Sequence, residues 1–198
     1  MRRAIRAAGL ALPGLLPATP GFAHSVVAGY DPFPGGLLHP LLVPAHLLAL
    51  VAFGLMLGTQ GARASLRLLA VFALSLAAAI LMVAAALSPS EPAFVLSICT
   101  LGAGAVAAAG RPLPFPATAL LTGVGAIALL LDSVPAILSR SETLIALGGT
   151  VLSAGGVLAA VAGPSLLARR PWQKIAVRIA GSWCAASALL VLAVTLAR

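Results

Sequence analysis

Acidic side chains are almost missing from this sequence. Four Asp plus Glu stand against twelve Lys plus Arg, and charged residues of all kinds make up 8% of 198. A soluble domain carries about 25%, because polar groups must cover its surface. The shortage excludes a soluble globular enzyme and a solvated disordered tail. Cysteine is scarce too. Cys99 and Cys184 are the only two, which excludes a disulfide-stapled secreted domain. No metal or redox spacing connects them, and both sit inside apolar runs, so they read as small packing residues. No Ser-His-Asp arrangement, glycine-rich phosphate loop or His-Glu-x-x-His helix is visible. No charged residue falls at the middle of an apolar run, which argues against a proton pump built on buried carboxylates and against a voltage sensor.

What is abundant is apolar surface. Hydrophobic residues make up 61% of the chain and the mean hydropathy is +1.13, so lipid is the natural solvent. The net charge of +8 does not indicate nucleic acid. The basic residues lie in short gaps between long apolar runs, where membrane topology is set.

Residues 1–23 read as a signal peptide. Arg2, Arg3 and Arg6 precede an apolar stretch from Ala7 to Leu16, then Pro17, Pro20 and the small-residue end Gly21-Phe22-Ala23. Cleavage there leaves His24 first; the other reading is an uncleaved anchor. Residues 24–198 then form one transmembrane domain. Six apolar segments, at 37–58, 67–87, 93–110, 116–132, 143–163 and 175–196, each approach the ~20 residues that cross a hydrocarbon core. Backbone polar groups in lipid must be satisfied internally, so the segments are expected to be helices. The expected fold is all-α, a polytopic membrane bundle of six transmembrane helices.

Charge supports that layout. With His24 outside, the inner loops carry Arg63, Arg67, Arg111, Arg169, Arg170 and Lys174, with Arg178 just inside the last helix. The outside carries only Arg140 and Arg198 among the bases, and all four acids: Asp31, Glu91, Asp132 and Glu142. The positive-inside tendency gives this separation in a bacterial inner membrane, with both mature ends extracytoplasmic. Trp172 and Lys174 read as interface anchors.

In the fifth segment Gly149, Gly156 and Gly163 recur every seven residues, beside Gly148 and Gly155. They would place glycines on one helix face for close packing, within the subunit or against a homo-oligomer or membrane partner.

Chemistry is left to three histidines. On one continuous helix His39 and His46 would share a face about 10 Å apart along the axis, too far for one metal ion to touch both. Pro40 and Pro44 offer the other geometry, a broken helix with the rings closer. Neutral imidazole suits nickel, cobalt, copper or zinc; equally, each ring can be held by a structural hydrogen bond. His24 and Asp31 are weaker outer candidates. Asp132, before Ser133 and Pro135, reads as a capping or interfacial residue rather than a ligand.

The run Gly36-Leu37-Leu38-His39-Pro40-Leu41-Leu42-Val43-Pro44-Ala45-His46-Leu47-Leu48-Ala49 resembles the first-span motif of the HupE/UreJ family, membrane proteins associated with hydrogenase and urease. His39, Pro40, His46, Leu48 and Ala49 match. Trp172, Arg178, Ala180 and Gly181, opening the last segment, are similar to the family's ending. Val43 stands where the motif has glycine and Ala45 where it has aspartate. Of a later histidine-rich stretch, Leu120 to Ile127 keeps only the glycines. The resemblance implies a nickel or cobalt permease in which the metal is cargo, with no permanently bound cofactor. The alternative is a non-transporting accessory or assembly subunit that has lost the metal site. Convergent polar groups are too few to favour the third reading, a membrane-embedded enzyme.

Overall fold

A computed structural model describes residues 30–87 and 89–197; the expected signal peptide and His24 lie outside them. The described residues form seven helices and no strand: α1 (Pro32–Leu42), α2 (Pro44–Thr59), α3 (Ala62–Ala84), α4 (Pro92–Ala109), α5 (Phe115–Asp132), α6 (Arg140–Leu166) and α7 (Pro171–Leu196).

Proline punctuates this order. It occupies one of the first two positions of α1, α2, α4, α5 and α7, where a missing N–H costs no helical bond. α6 instead opens with a capping box. Ser139 accepts from the Glu142 N–H while the Glu142 carboxylate accepts from the Ser139 N–H.

Five helices, α3 to α7, are long and apolar enough to cross a membrane singly. The pair α1 and α2 makes a sixth candidate span. The all-α expectation therefore holds among the described residues, with five to six candidate spans, and its first segment is not one continuous helix. It bends by 70° between α1 and α2. Val43 precedes Pro44, and the proline ring disfavours the α region for its predecessor. Val43 accordingly takes φ −89° and ψ 109°, an extended conformation.

α2 is the axis of the bundle. Ala49, Leu50, Ala52, Phe53, Met56 and Leu57 are all fully buried, as expected of a helix that is apolar all round. It packs against α6, α4 and α7. Around it, α3 pairs with α5, α4 with α5 and α7, and α1 with α6. Three buried hydroxyls bond back four residues along their own helices: Thr100 donates to the Leu96 carbonyl, Thr122 to Thr118 and Ser133 to Leu129, each at 2.7 Å.

Burial in lipid gains little from the hydrophobic effect, so close backbone approach at small residues carries the packing. The α1–α6 contact is the tightest case. A Cβ on Gly36 would lie 1.8 Å from the Ala146 carbonyl oxygen, and one on Gly149 would lie 2.3 Å from that of Phe33. Thr150 also donates to the Gly36 carbonyl at 3.1 Å.

The expected glycine stripe is thus only partly a packing surface. Gly148, Gly155, Gly156 and Gly163 have nothing within 4 Å of a Cβ built on them. Their neighbours take the contacts instead: α1 meets Ala146, Gly149 and Thr150, and α2 meets Val161, Ala162 and Ser165 on the later turns of α6. Gly155 and Gly156 line an open apolar groove with Leu69, Phe72 and Leu76 of α3.

Alanine should separate the two kinds of glycine. Gly36→Ala and Gly149→Ala overpack a backbone contact and should each destabilise by about 1–3 kcal/mol. Gly156→Ala and Gly163→Ala should be neutral or stabilising by up to about 1 kcal/mol, the helix preference for alanine. Thermal unfolding in detergent micelles reads both signs; equal losses at all four positions would contradict this packing.

Candidate functional site

Three side chains from three helices meet where the first span breaks. His39 comes from the last turn of α1 and is 6% exposed; His46 comes from the first turn of α2 and is fully buried. Because the chain turns at Val43, the two ring centroids are 5.0 Å apart, with the planes tilted by 60°. The continuous-helix geometry, with the rings about 10 Å apart, is therefore replaced by the broken one.

The third member is Asp132, the last residue of α5. Its Oδ2 lies 2.8 Å from His46 Nε2. An ionised carboxylate oxygen only accepts, so Nε2 carries the proton and donates. This corrects the expectation that Asp132 caps a helix or rests at the interface. It is the acid partner of a buried imidazole, joined to it by a charge-assisted hydrogen bond.

The proton on Nε2 leaves Nδ1 of His46 with the lone pair in the neutral ring. That nitrogen is buried and has no hydrogen-bond partner. Orphaned buried polar atoms are rare and costly. Metal-binding imidazoles have this arrangement: one nitrogen is held by a carboxylate, which fixes the tautomer and raises the basicity of the other. The ring spacing also fits. An ion about 2 Å from one nitrogen of each ring, at a tetrahedral angle, would set the centroids about 5 Å apart. Among the described residues no group of three or more His, Cys, Asp or Glu side chains could surround an ion. The site offers the unpartnered Nδ1 of His46 beside the His39 ring.

A cleft of about 10 Å³ beside His39, lined by Gly35, Gly36, Ser133, Ala146 and Thr150, has room for about one water molecule. Thr150 and Ala146 belong to the glycine-mediated α1–α6 contact, so the packing that seats α1 also shapes this cleft. Asp31 is not part of the cluster. It stands exposed at the N-terminal boundary of α1, eight residues and about 12 Å of helix before His39. Gly149 touches α1 from behind, while Gly156 and Gly163 lie farther along α6, away from the imidazoles.

A family model for the HupE / UreJ protein matches residues 10–191. The chain belongs to the HupE/UreJ family. No curated protein and no solved structure matches it. In this HupE/UreJ protein the residue at the motif-aspartate position, Ala45, faces away from the imidazoles. It lines a small groove with Leu96 and Ala188. The carboxylate beside His46 comes instead from 86 residues downstream. One signal in the sequence pointed there: with the spans counted off, Asp132 falls at the same end of the bundle as His39 and His46.

Removing the acid should expose its structural role. Asp132→Ala leaves a buried Nε2–H without an acceptor and should cost about 1.5–3 kcal/mol, the range for hydrogen bonds to charged groups. Asp132→Asn keeps an acceptor oxygen and should cost less. Thermal unfolding in micelles checks the order; two variants as stable as the parent would contradict the buried pair.

Proposed function

We propose that this membrane protein carries a transition-metal ion of the nickel or cobalt class across the bacterial inner membrane, for metalloenzyme maturation. The observation that carries the reading is the buried, carboxylate-oriented His46 ring with a free Nδ1 lone pair, set 5.0 Å from His39. Family membership supports it. The ion is cargo. It reaches the bundle at the end that carries Asp31, Glu91, Asp132 and Glu142, which we assign to the outside. The opposite end holds Arg63, Arg67, Arg111, Arg169, Arg170, Lys174 and Arg178, as the positive-inside tendency asks. Two imidazoles with a hydrogen-bonded rather than coordinating carboxylate favour the borderline metals that imidazole suits over the hard cations that oxygen sets prefer.

The accessory-subunit reading has one observation of its own. Gly148, Gly155, Gly156 and Gly163 leave one stretch of α6 open to close approach by another helix. It predicts a stable membrane partner that Gly156→Leu releases, and no effect from the histidines.

Uptake of radiolabelled nickel and cobalt by cells separates the two. His39→Ala and His46→Ala should reduce uptake to the level of cells lacking the protein. Asp132→Asn should weaken apparent affinity about 10- to 100-fold, the usual cost of removing the carboxylate behind a metal-bound histidine. Normal uptake in all three variants, with insertion verified, would sink the transport reading.

A further inference from the structure

At the far end of the bundle, away from the imidazoles, a cavity of about 310 Å³ opens where α2, α4 and α6 end and α7 begins. Thr59, Gly110, Ser165, Lys174 and Arg178 are among the residues that line it. The hydroxyls are already engaged: Thr59 donates to the Met56 carbonyl at 2.7 Å and Ser165 to that of Val161 at 2.8 Å. The strong donors facing the space are the two cations. Arg178 donates from Nε to the Ala108 carbonyl at 2.9 Å, which holds the guanidinium at the cavity wall. Gly110 makes room for it. Its φ is +63°, and a Cβ there would meet Arg178 Cδ at 2.9 Å.

The same arginine forms a wall of a second, more open cavity of about 270 Å³, on the outer side of the α4–α7 contact. Ala108, Ile175 and Ile179 supply its apolar lining. Ile175 and Ile179 are about half exposed, so this groove faces the surrounding lipid. Arg178 thus stands between a polar chamber and an apolar groove, with exposed Trp172 nearly two turns of α7 away.

Charge decides what such a chamber accepts. Seven cations lie at this end of the bundle, and all four acids lie at the other. Neither Lys174 nor Arg178 has a carboxylate partner among the described residues. The three helix C-termini together carry about −1.5 and the N-terminus of α7 about +0.5, so with Lys174 and Arg178 the chamber stays net positive. A cavity lined by unpaired cations beside a lipid-facing groove matches a molecule with an anionic phosphate head and an apolar tail. Basic pockets between transmembrane helices bind such headgroups.

The geometry points to a binding site for an anionic phospholipid, with its phosphate against Lys174 and Arg178 and an acyl chain along Ile175 and Ile179. The assignment does not depend on the metal reading, since it involves neither histidine. The chemistry the site recognises is a phosphate oxyanion. The adjoining apolar groove is what selects the lipid over free phosphate.

The test is lipid retention by the full-length protein in a non-ionic detergent, read by native mass spectrometry and by the shift in thermal unfolding. Phosphatidylglycerol, phosphatidylcholine and inorganic phosphate are compared. Phosphatidylglycerol should be retained and should stabilise, and the other two should do neither. Lys174→Gln and Arg178→Gln should each weaken retention about five-fold. The paired change Arg63→Gln with Arg67→Gln removes two charges from the same end but away from the cavity, and should leave retention nearly unchanged. If Arg178→Gln folds poorly because the Ala108 bond is lost, Lys174→Gln alone carries the test. Equal retention of phosphatidylcholine, an equal loss in the Arg63 and Arg67 variant, or stabilisation by inorganic phosphate alone would each overturn the assignment.

Discussion

A proline disfavours the helical conformation in the residue before it; Pro40 and Pro164 are absorbed inside α1 and α6, but at Pro44, between two histidines, the helix breaks. Val43 is driven into an extended conformation by Pro44, and the chain bends by 70°. On an unbroken helix the rings would be separated by two turns. With the break, α1 swings away from the axis of α2 and the rings approach to 5.0 Å. Such a kink leaves backbone groups to be satisfied. The N–H groups of His46 and Leu47 both bond to the Val43 carbonyl, and the Val43 N–H bonds to that of His39. These local bonds bridge the break.

Holding α1 in its bent position falls to α6. Eleven residues bury too little to fix a helix by side-chain packing alone, so contact is made backbone to backbone across Gly36 and Gly149. The Thr150 hydroxyl adds a bond to the Gly36 carbonyl. Asp132 completes the arrangement from the other side by fixing the tautomer and orientation of His46. The imidazole pair consequently depends on four helices, and none of its three polar members could be moved without disturbing packing elsewhere.

Most of the architecture was legible from periodicity of a coarse kind. Long apolar runs, short basic gaps and prolines at the starts of runs located the helices to within a few residues. The break at Pro44 was legible as one of two geometries, because a proline inside an apolar run marks either a kink or a helix start. What stayed hidden is what depends on three dimensions. Asp132 looks like a helix-end residue when read along the chain, because its contact with His46 is set by how α5 packs beside α2. The five glycines of α6 look equivalent in sequence. Where α1 and α2 lie against α6 decides that Gly149 meets a backbone while Gly156 and Gly163 do not.

Between the imidazoles and the basic cavity the interior follows α2. From His46 to Gly58 is about 18 Å of helix. Leu50, Phe53, Met56 and Leu57, which lie between, are fully buried. The Phe53 ring fills the space beside Gly125, where a Cβ would sit 2.2 Å from the ring. This conformation is thus closed between the imidazoles and the basic cavity. On the transport reading, an ion leaving His46 has to cross that stretch after the core shifts. It then meets Lys174 and Arg178. A unit charge pair at 4 Å is worth about 4 kcal/mol near a protein surface, and a divalent ion doubles it. An anionic headgroup at the same place would cancel much of that repulsion. The occupancy of the lipid chamber and the ease of cation release are then linked by charge alone, with no contact required between the two sites.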